Sequence, residues 1–386
     1  ATTNLDQREA QSGKQLEIDV LTNDVVDPKL APLKVIDATV ASNLGTISHD
    51  DTTVRFTPSA EFVGTADLTY VVNDKLGDEE RKVSGTIRVT VKDRPKAPAA
   101  PTPLEFGSKF VVLKWEPADP CGQAITKYEV ASVDGSVRVE TSGPVTQLRL
   151  TEADGVRNNT AYRFVVRAFN GVGDGWSDES PPSREVTPDV RPNAATVGPQ
   201  LTYNPSLGSG ELLVSWPAVG SAQWPNEGSP VEEYRLVISP PDGGGQRMFG
   251  AAVTSTTLTG LRNGVNYTVR VQARNNSVRV PGNDGWSDLS PPSAEAYPAT
   301  KPNAAARPTA KRVDNPLGEL IEVTWTRPVH NTREDDCCDY RIRTTGSAGA
   351  PGVADVIVAG NRAATITQQV TAPKGFTYTF EVFSKN

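Results

Sequence analysis

One stretch of the chain occurs twice: Gly173-Asp-Gly-Trp-Ser-Asp-Glu-Ser-Pro-Pro-Ser183 returns as Asn283-Asp-Gly-Trp-Ser-Asp-Leu-Ser-Pro-Pro-Ser293. Each copy follows an aromatic-led alternating run, Tyr162-Arg-Phe-Val-Val-Arg-Ala168 and Tyr267-Thr-Val-Arg-Val-Gln-Ala273. A third run, Tyr378-Thr-Phe-Glu-Val-Phe383, opens the same unit, and the sequence stops at Asn386 before a Trp-Ser stretch could follow. Repetition at a fixed period decides architecture before any local reading does. It predicts separate modules, the last of them cut before its final strand, in a chain excerpted from a longer protein. A length of 386 residues agrees, being more than one core normally serves.

Val, Thr and Ile fall in short alternating runs separated by 32 Gly and 31 Pro, with no long 3.6-residue periodicity. That pattern predicts an all-β chain of short strands and turns. A net charge of −7 excludes a nucleic-acid backbone binder, which needs a basic stripe to displace counterions. No apolar run approaches the roughly 20 residues that span a bilayer, so no membrane contact by this segment is expected. The module boundaries read from the repeats are 1–94, 95–189, 190–299 and 300–386.

In the first module, alternating runs at Gln15–Leu21, Leu33–Val40, Thr53–Pro58, Asp67–Val72 and Ser84–Val91 predict a sandwich of about seven strands. The segments Asp19-Val-Leu-Thr-Asn-Asp24, Phe56-Thr-Pro-Ser-Ala-Glu-Phe-Val-Gly-Thr65 and Leu68-Thr-Tyr-Val-Val-Asn-Asp74 resemble the bacterial Ig-like, cadherin-like repeats of large surface proteins. That resemblance raises calcium at Asn23, Asp24 and Asp27. Lys29-Leu-Ala-Pro32 follows where further carboxylates would stand, and a hard cation needs six to eight oxygens. Turn formation by those side chains is the competing reading.

The later modules share a frame: Phe110–Trp115, Lys127–Val130 and Tyr162, then Leu212–Trp216, Glu233–Val237 and Tyr267, then Ile321–Trp325, Asp339–Ile342 and Tyr378. It resembles the fibronectin type III domain three times over. Strand alternation puts Trp115, Trp216 and Trp325 inside the sandwiches as structural residues, along with Tyr162, Tyr267 and Tyr378. Val156 and Leu261, six residues before the first two tyrosines, fit a corner where the hydroxyl bonds back to the backbone; Ala372 stands there in the last copy. Between modules, Lys96–Pro103, Arg191-Pro-Asn-Ala-Ala195 and Lys301-Pro-Asn-Ala-Ala305 predict short, semi-rigid joints. Four sandwiches in line would make a rod on the order of 150 Å, from strand lengths of five to eight residues plus loops.

No catalytic set is expected: His49 and His330 lie in different modules, and the carboxylates are scattered over strands and turns. No cofactor or metal site is expected either. Trp176 and Trp286 are predicted to pack under arginines of the preceding run, Arg163 and Arg167 or Arg270 and Arg274, with an exposed sugar-stacking platform as the alternative. The arrangement is similar to the Trp-Ser ladder of cytokine receptors, with one Trp per module. Trp224, in the long Val219–Pro230 insertion, is the strongest candidate for an exposed ligand-contacting aromatic. Asp174, Asp178, Asp284 and Asp288 flank the corner tryptophans and are read as turn formers, with cation binding the alternative. Cys121 is too far from Cys337 and Cys338 to bond them across modules; one of the pair is expected to bond a residue beyond Asn386, or the two bond each other under strain. Three Asn-x-Ser/Thr patterns, at Asn158, Asn266 and Asn275, are not expected to carry glycans.

These readings predict a non-catalytic stalk or spacer of a bacterial extracellular or cell-surface protein, whose partners are the neighbouring domains of the same longer chain. Adhesin modules binding a surface glycan or protein, and accessory spacers of a secreted polysaccharide-degrading enzyme, are the alternatives.

Overall fold

The computed structural model describes residues 1–241, 245–313, 316–317, 319–333 and 336–386. The chain is all-β, a series of separate small sheets, and it divides into two compact units, Ala1–Asp189 and Val190–Asn386.

The first unit opens with a sandwich of seven strands. Lys34–Thr39, Gly64–Asn73 and Val83–Lys92 pair antiparallel in one sheet, and Asp6–Gln11 adds to Val83–Lys92 in parallel. Leu16–Asp19, Thr53–Pro58 and Gly45–His49 form the facing sheet. Alternation dictates the core: Ala66, Leu68, Tyr70 and Val72 on one strand meet Ile87, Val89 and Val91 on the next, all fully buried. The acidic turn residues are occupied within the fold. Asp24 accepts from Tyr70 Oη at 3.0 Å and from the Asn4 N–H at 2.9 Å, and Asp27 caps a short helical turn through the Lys29 N–H.

The second module pairs Thr102–Gly107, Phe110–Lys114 and Gln147–Leu150 in one sheet and Arg138–Glu140, Lys127–Ser132 and Phe164–Phe169 in the other. The second unit repeats this arrangement twice. Gln200–Thr202, Leu212–Ser215 and Ser255–Leu258 face Gln246–Gly250, Val231–Ser239 and Thr268–Asn275. Thr309–Arg312, Leu320–Thr326 and Thr365–Thr371 face Val356–Val358, Asp339–Gly346 and Tyr378–Lys385. Each of these three cores is built on one Trp and one Tyr meeting edge to face: Trp115 with Tyr128, Trp216 with Tyr234 and Trp325 with Tyr340, at 5.5, 5.8 and 5.3 Å between centroids. Such pairs contribute about 0.5–1.5 kcal/mol beyond their area burial.

The tyrosine corner forms in two copies. The hydroxyls of Tyr162 and Tyr267 each accept a 3.0 Å bond from the main-chain N–H five residues upstream, at Arg157 and Arg262. In the fourth module the expectation for Tyr378 needs correction: its ring is only half-buried, and its hydroxyl is enclosed without a hydrogen-bond partner.

Candidate functional site

The repeated Trp-Ser stretch is placed along the free edge of the strand that precedes it, where a final strand would be expected. It is not a β-strand. Ser177, Ser180 and Ser183 face Phe164–Phe169, and Ser287, Ser290 and Ser293 face Thr268–Asn275. Each serine N–H donates to a strand carbonyl: Ser177 to Ala168, Ser180 to Val166 and Ser183 to Phe164, at 2.8–2.9 Å. The amides of those same strand residues donate back to the serine Oγ atoms at 2.9–3.0 Å. Each hydroxyl then donates to the carbonyl of the next residue. The third module repeats all nine contacts on Ala273, Val271 and Val269.

A ladder that recurs every third residue requires a helix of three residues per turn, the polyproline II geometry. That explains the Ser-Pro-Pro-Ser spelling. Only every third N–H is used, so the intervening prolines cost no hydrogen bond, and their fixed φ holds the extended form. The serine Oγ substitutes for the carbonyl that an ordinary strand would present.

At the head of the ladder sits the indole. Trp176 packs on Phe169 at 4.9 Å, with the Arg167 guanidinium 4.5 Å from its ring centroid and Lys127 Nζ at 5.2 Å. Glu129, almost fully buried, accepts from Arg167 at 2.9 Å and also from Arg138. Trp286 is held differently from expectation: its cation is Arg235, at 4.3 Å, from the strand Val231–Ser239. Neither Arg270 nor Arg274 stacks on it; Arg274 bonds Glu233 at 2.6 Å, and Gln272 occupies the position of Arg167. Both indoles are half-buried. The glycine before each Trp is obligatory. Gly175 and Gly285 have φ near +80°, and a Cβ would lie 2.2 Å from the Phe169 ring in one and 2.7 Å from the Asn275 carbonyl in the other.

Family models decide what these modules are. Residues 1–92 match the bacterial Ig domain, and residues 99–186 and 199–284 match the fibronectin type III domain. The chain is a bacterial Ig domain followed by tandem fibronectin type III domains. Its fourth module, outside those matches, repeats the fibronectin type III sheet pairing. Among curated proteins it is similar to receptor-type tyrosine-protein phosphatase S of Gallus gallus, 25% identical over 54% of this chain and 13% of that protein. Similar figures hold for Roundabout homolog 2 of Homo sapiens, 25% over 67% and 19%, and the netrin receptor DCC of Rattus norvegicus, 25% over 64% and 16%. The chain thus spans less than a fifth of each of these relatives. A crystal structure of the chicken CNTN1 FN1-FN3 domains covers 76% of this chain and 94% of its own at 18% identity and a TM-score of 0.28. Ig and fibronectin type III domains are generally non-catalytic modules of extracellular and cell-surface proteins, serving as spacers or binding modules.

Each of the three later modules also grips the joint that leads into it, through an asparagine at one repeated position. Asn170, Asn275 and Asn386 each stand eight residues after the leading tyrosine. Asn170 Nδ2 donates to the Asp93 carbonyl at 2.7 Å and to the Pro120 carbonyl at 3.0 Å. Asn275 does the same to Val190 and Ser229, at 2.8 and 3.2 Å, and Asn386 to Thr300 and His330, at 2.6 and 2.8 Å. In the second and fourth modules the joint N–H completes the clasp. Asp93 donates to Cys121 and Thr300 to Asn331, two residues held in the left-handed region at φ 48° and 54°. The signal was available as an Asn at one fixed offset in three repeats. In Asn275-Asn-Ser277 it was hidden behind a glycosylation pattern.

The corner aspartates work on the same joints. Asp178 pairs with Arg94 and Asp288 with Arg191, each at 3.2 Å, so the basic residue ahead of each joint proline is tied to the corner of the module that follows. Asp284 accepts from the Trp286 N–H as a turn former.

Trp224 also needs correction. It is fully buried, its Nε1 donates to the Asn193 carbonyl at 2.6 Å, and its ring packs on Tyr234 at 5.6 Å. The insertion folds back because a large apolar ring gains more inside the sandwich mouth than on it. Cys337 and Cys338 are joined to each other by a disulfide. The fold brings His330 to them, with ligand atoms within 4.8 Å of one another, though a disulfide has no thiolate to give a metal. Cys121 is free, and burial, reinforced by Asp119, pushes its thiol above the ordinary range. Among the described residues no helix is long and apolar enough to cross a membrane.

Proposed function

We propose that the chain is a non-catalytic spacer of a bacterial extracellular or cell-surface protein, acting by holding neighbouring domains of a longer polypeptide at fixed relative positions. The observation that carries this reading is the asparagine clasp, present at the entry to each of the three later modules. A clasp removes the torsional freedom of the joint beside it, and a spacer needs joints that do not swing. Within the first unit, Gln11 and Val63 of the Ig domain lie against Gly173 and Gly122 of the next module, where an added Cβ would meet them at 2.7 and 3.0 Å. Within the second, Tyr297 donates to Asp336 at 2.6 Å with Arg333 over its ring. Module-to-module contacts thus back the clasps in both.

Spin labels on cysteines placed at Asp37 and Gln147, exposed positions in the Ig domain and the module after it, test the proposal in the full chain. A single narrow distance distribution that broadens on Asn170→Ala supports it. A broad distribution in the unmodified chain sinks it.

A second reading, recognition of a glycan or protein, is favoured by the relatives named as receptors. Trp176 and Trp286, half-buried beneath cations, are the aromatics it would use. Glycan-array binding lost on Trp176→Ala without loss of thermal stability would select it.

A further inference from the structure

Three residues of the fourth module carry chemistry that a spacer does not use. His330 and the disulfide-bonded Cys337 and Cys338 bring one nitrogen and two sulfurs within 4.8 Å of one another. We infer that, once the disulfide is reduced, these residues form a binding site for one thiophilic metal ion, Cu(I), held by two thiolates and one imidazole.

The imidazole is built into the module's core. In the second and third modules the N–H three residues after the core Trp donates to the core Tyr hydroxyl, Ala118 to Tyr128 at 3.3 Å and Val219 to Tyr234 at 3.1 Å. Pro328 stands at that place after Trp325 and has no N–H to give. The buried His330 ring takes over, its Nε2 3.1 Å from Tyr340 Oη. Its neighbours fix the loop main chain: the Asn303 N–H donates to the Val329 carbonyl at 2.9 Å, and the Thr300 N–H to the Asn331 carbonyl at 3.0 Å. With a metal on Nδ1, Nε2 keeps the proton and donates to Tyr340, the kind of outer bond that orients a metal-bound imidazole.

The sulfurs differ in access. Cys338 is fully buried in the core with Trp325 and Tyr340, and Cys337 is partly buried. Thiol exchange therefore begins at Cys337 Sγ, the more accessible sulfur. A dithiol reductant supplies two electrons and two protons: its two S–H groups become a disulfide, the Cys337–Cys338 bond breaks, and both cysteines become thiols. One Cu(I) then displaces the two thiol protons to solvent and forms two S–Cu bonds.

The spacing and the donor set select the ion. Nitrogen and sulfur ligands stand about 2.0–2.3 Å from a metal, so two of them on one ion lie at most about 4.5 Å apart. The three atoms are already within a few tenths of an ångström of that limit, and the parting of the sulfurs opens room for the ion between them. Thiolates select Cu(I) and Zn(II), and imidazole suits both metals. Closed zinc sites take four protein ligands, whereas this cluster offers three, a set that satisfies Cu(I). The reducing conditions that open the disulfide also hold copper as Cu(I).

The test reduces the full chain with dithiothreitol, desalts it without oxygen and titrates it with Cu(I) buffered by a chromogenic chelator, beside the oxidised chain. The reduced chain is expected to take one equivalent and the oxidised chain none. X-ray absorption on the loaded, unmodified chain should show two sulfurs and one nitrogen on copper, a readout that needs no variant to fold. Cys121→Ser should leave uptake unchanged, Cys337→Ser should abolish it, and His330→Gln should weaken it about tenfold or more. The inference is overturned by a disulfide that dithiothreitol does not open in the folded chain, by equal uptake in both redox states, or by uptake that follows Cys121. It is equally overturned by a copper spectrum lacking the nitrogen or the second sulfur, or by a His330→Gln chain that binds as tightly as the parent.

Discussion

Asn170 Nδ2 lies 2.7 Å from the main-chain oxygen of Asp93, at the Ig domain's exit. Its other amide contact goes to Pro120, on the loop facing that exit, so one side chain ties joint to loop. The amide can do this because it donates two bonds from one nitrogen, which a carboxylate cannot. Asn170→Asp is therefore expected to be as damaging at neutral pH as Asn170→Ala. Either leaves two carbonyls short, a loss of about 1–3 kcal/mol. Denaturant unfolding of the two variants beside the parent checks this, and an Asp variant as stable as the parent would refute it.

The three leading tyrosines should respond unequally to loss of a hydroxyl. Tyr162→Phe and Tyr267→Phe each strip the acceptor from a part-buried main-chain N–H and are expected to cost about 1 kcal/mol. Tyr378→Phe removes a hydroxyl that is enclosed and unbonded, so stability should hold or rise slightly. Thermal unfolding of the three variants separates them. Equal losses would mean that Tyr378 finds a partner in solution.

The all-β class and the repeated cores were legible because alternation and the Trp and Tyr positions recur in register. Trp115, Trp216 and Trp325 are all buried, as a period-two reading requires. What escaped reading is polar. The strand Asp6–Gln11 has no apolar alternation to mark it, yet it pairs in parallel with Val83–Lys92. The serine ladder escaped because nothing in a Ser-Pro-Pro-Ser string reveals that the hydroxyls stand in for carbonyls. Trp224 misled because loop residues are assumed to face water, whereas this loop closes over its own core.

Asp6 should make the Ig domain pH-sensitive. Burial raises its carboxyl above the ordinary value, opposed by Arg8 at 3.6 Å and reinforced by Asp24. A group whose folded pKa is raised holds its proton more firmly in the native state. Folding thus loses stability as pH climbs from the unfolded value of 3.8 through the raised one. Asp6→Asn cannot ionise. Its stability advantage is expected to be absent near pH 3, to grow through that window and to level off above it. Stability curves of both proteins against pH provide the check; an advantage that does not change with pH would contradict burial as the cause.

The serine ladder makes the sharpest local prediction, because its two residue types have opposite duties. Ser180 is buried and carries three bonds: its N–H to the Val166 carbonyl, its Oγ from the Val166 N–H, and its hydroxyl to the Pro181 carbonyl. Ser180→Ala keeps the first and removes the others. The Val166 N–H then sits at a sheet edge without an acceptor, at a cost of about 1–3 kcal/mol. Pro181, one residue on, is exposed and supplies no N–H to anything, so its contribution is the stiffness of the extended form. Pro181→Ala should cost only about 0.4–1 kcal/mol, through the freer unfolded chain. Hydrogen exchange distinguishes the two mechanisms beyond their size. Ser180→Ala should accelerate exchange at Val166 well beyond its neighbours on Phe164–Phe169, while Pro181→Ala should raise exchange evenly along the strand. If both variants accelerated the strand evenly, the hydroxyl would not be substituting for a strand carbonyl.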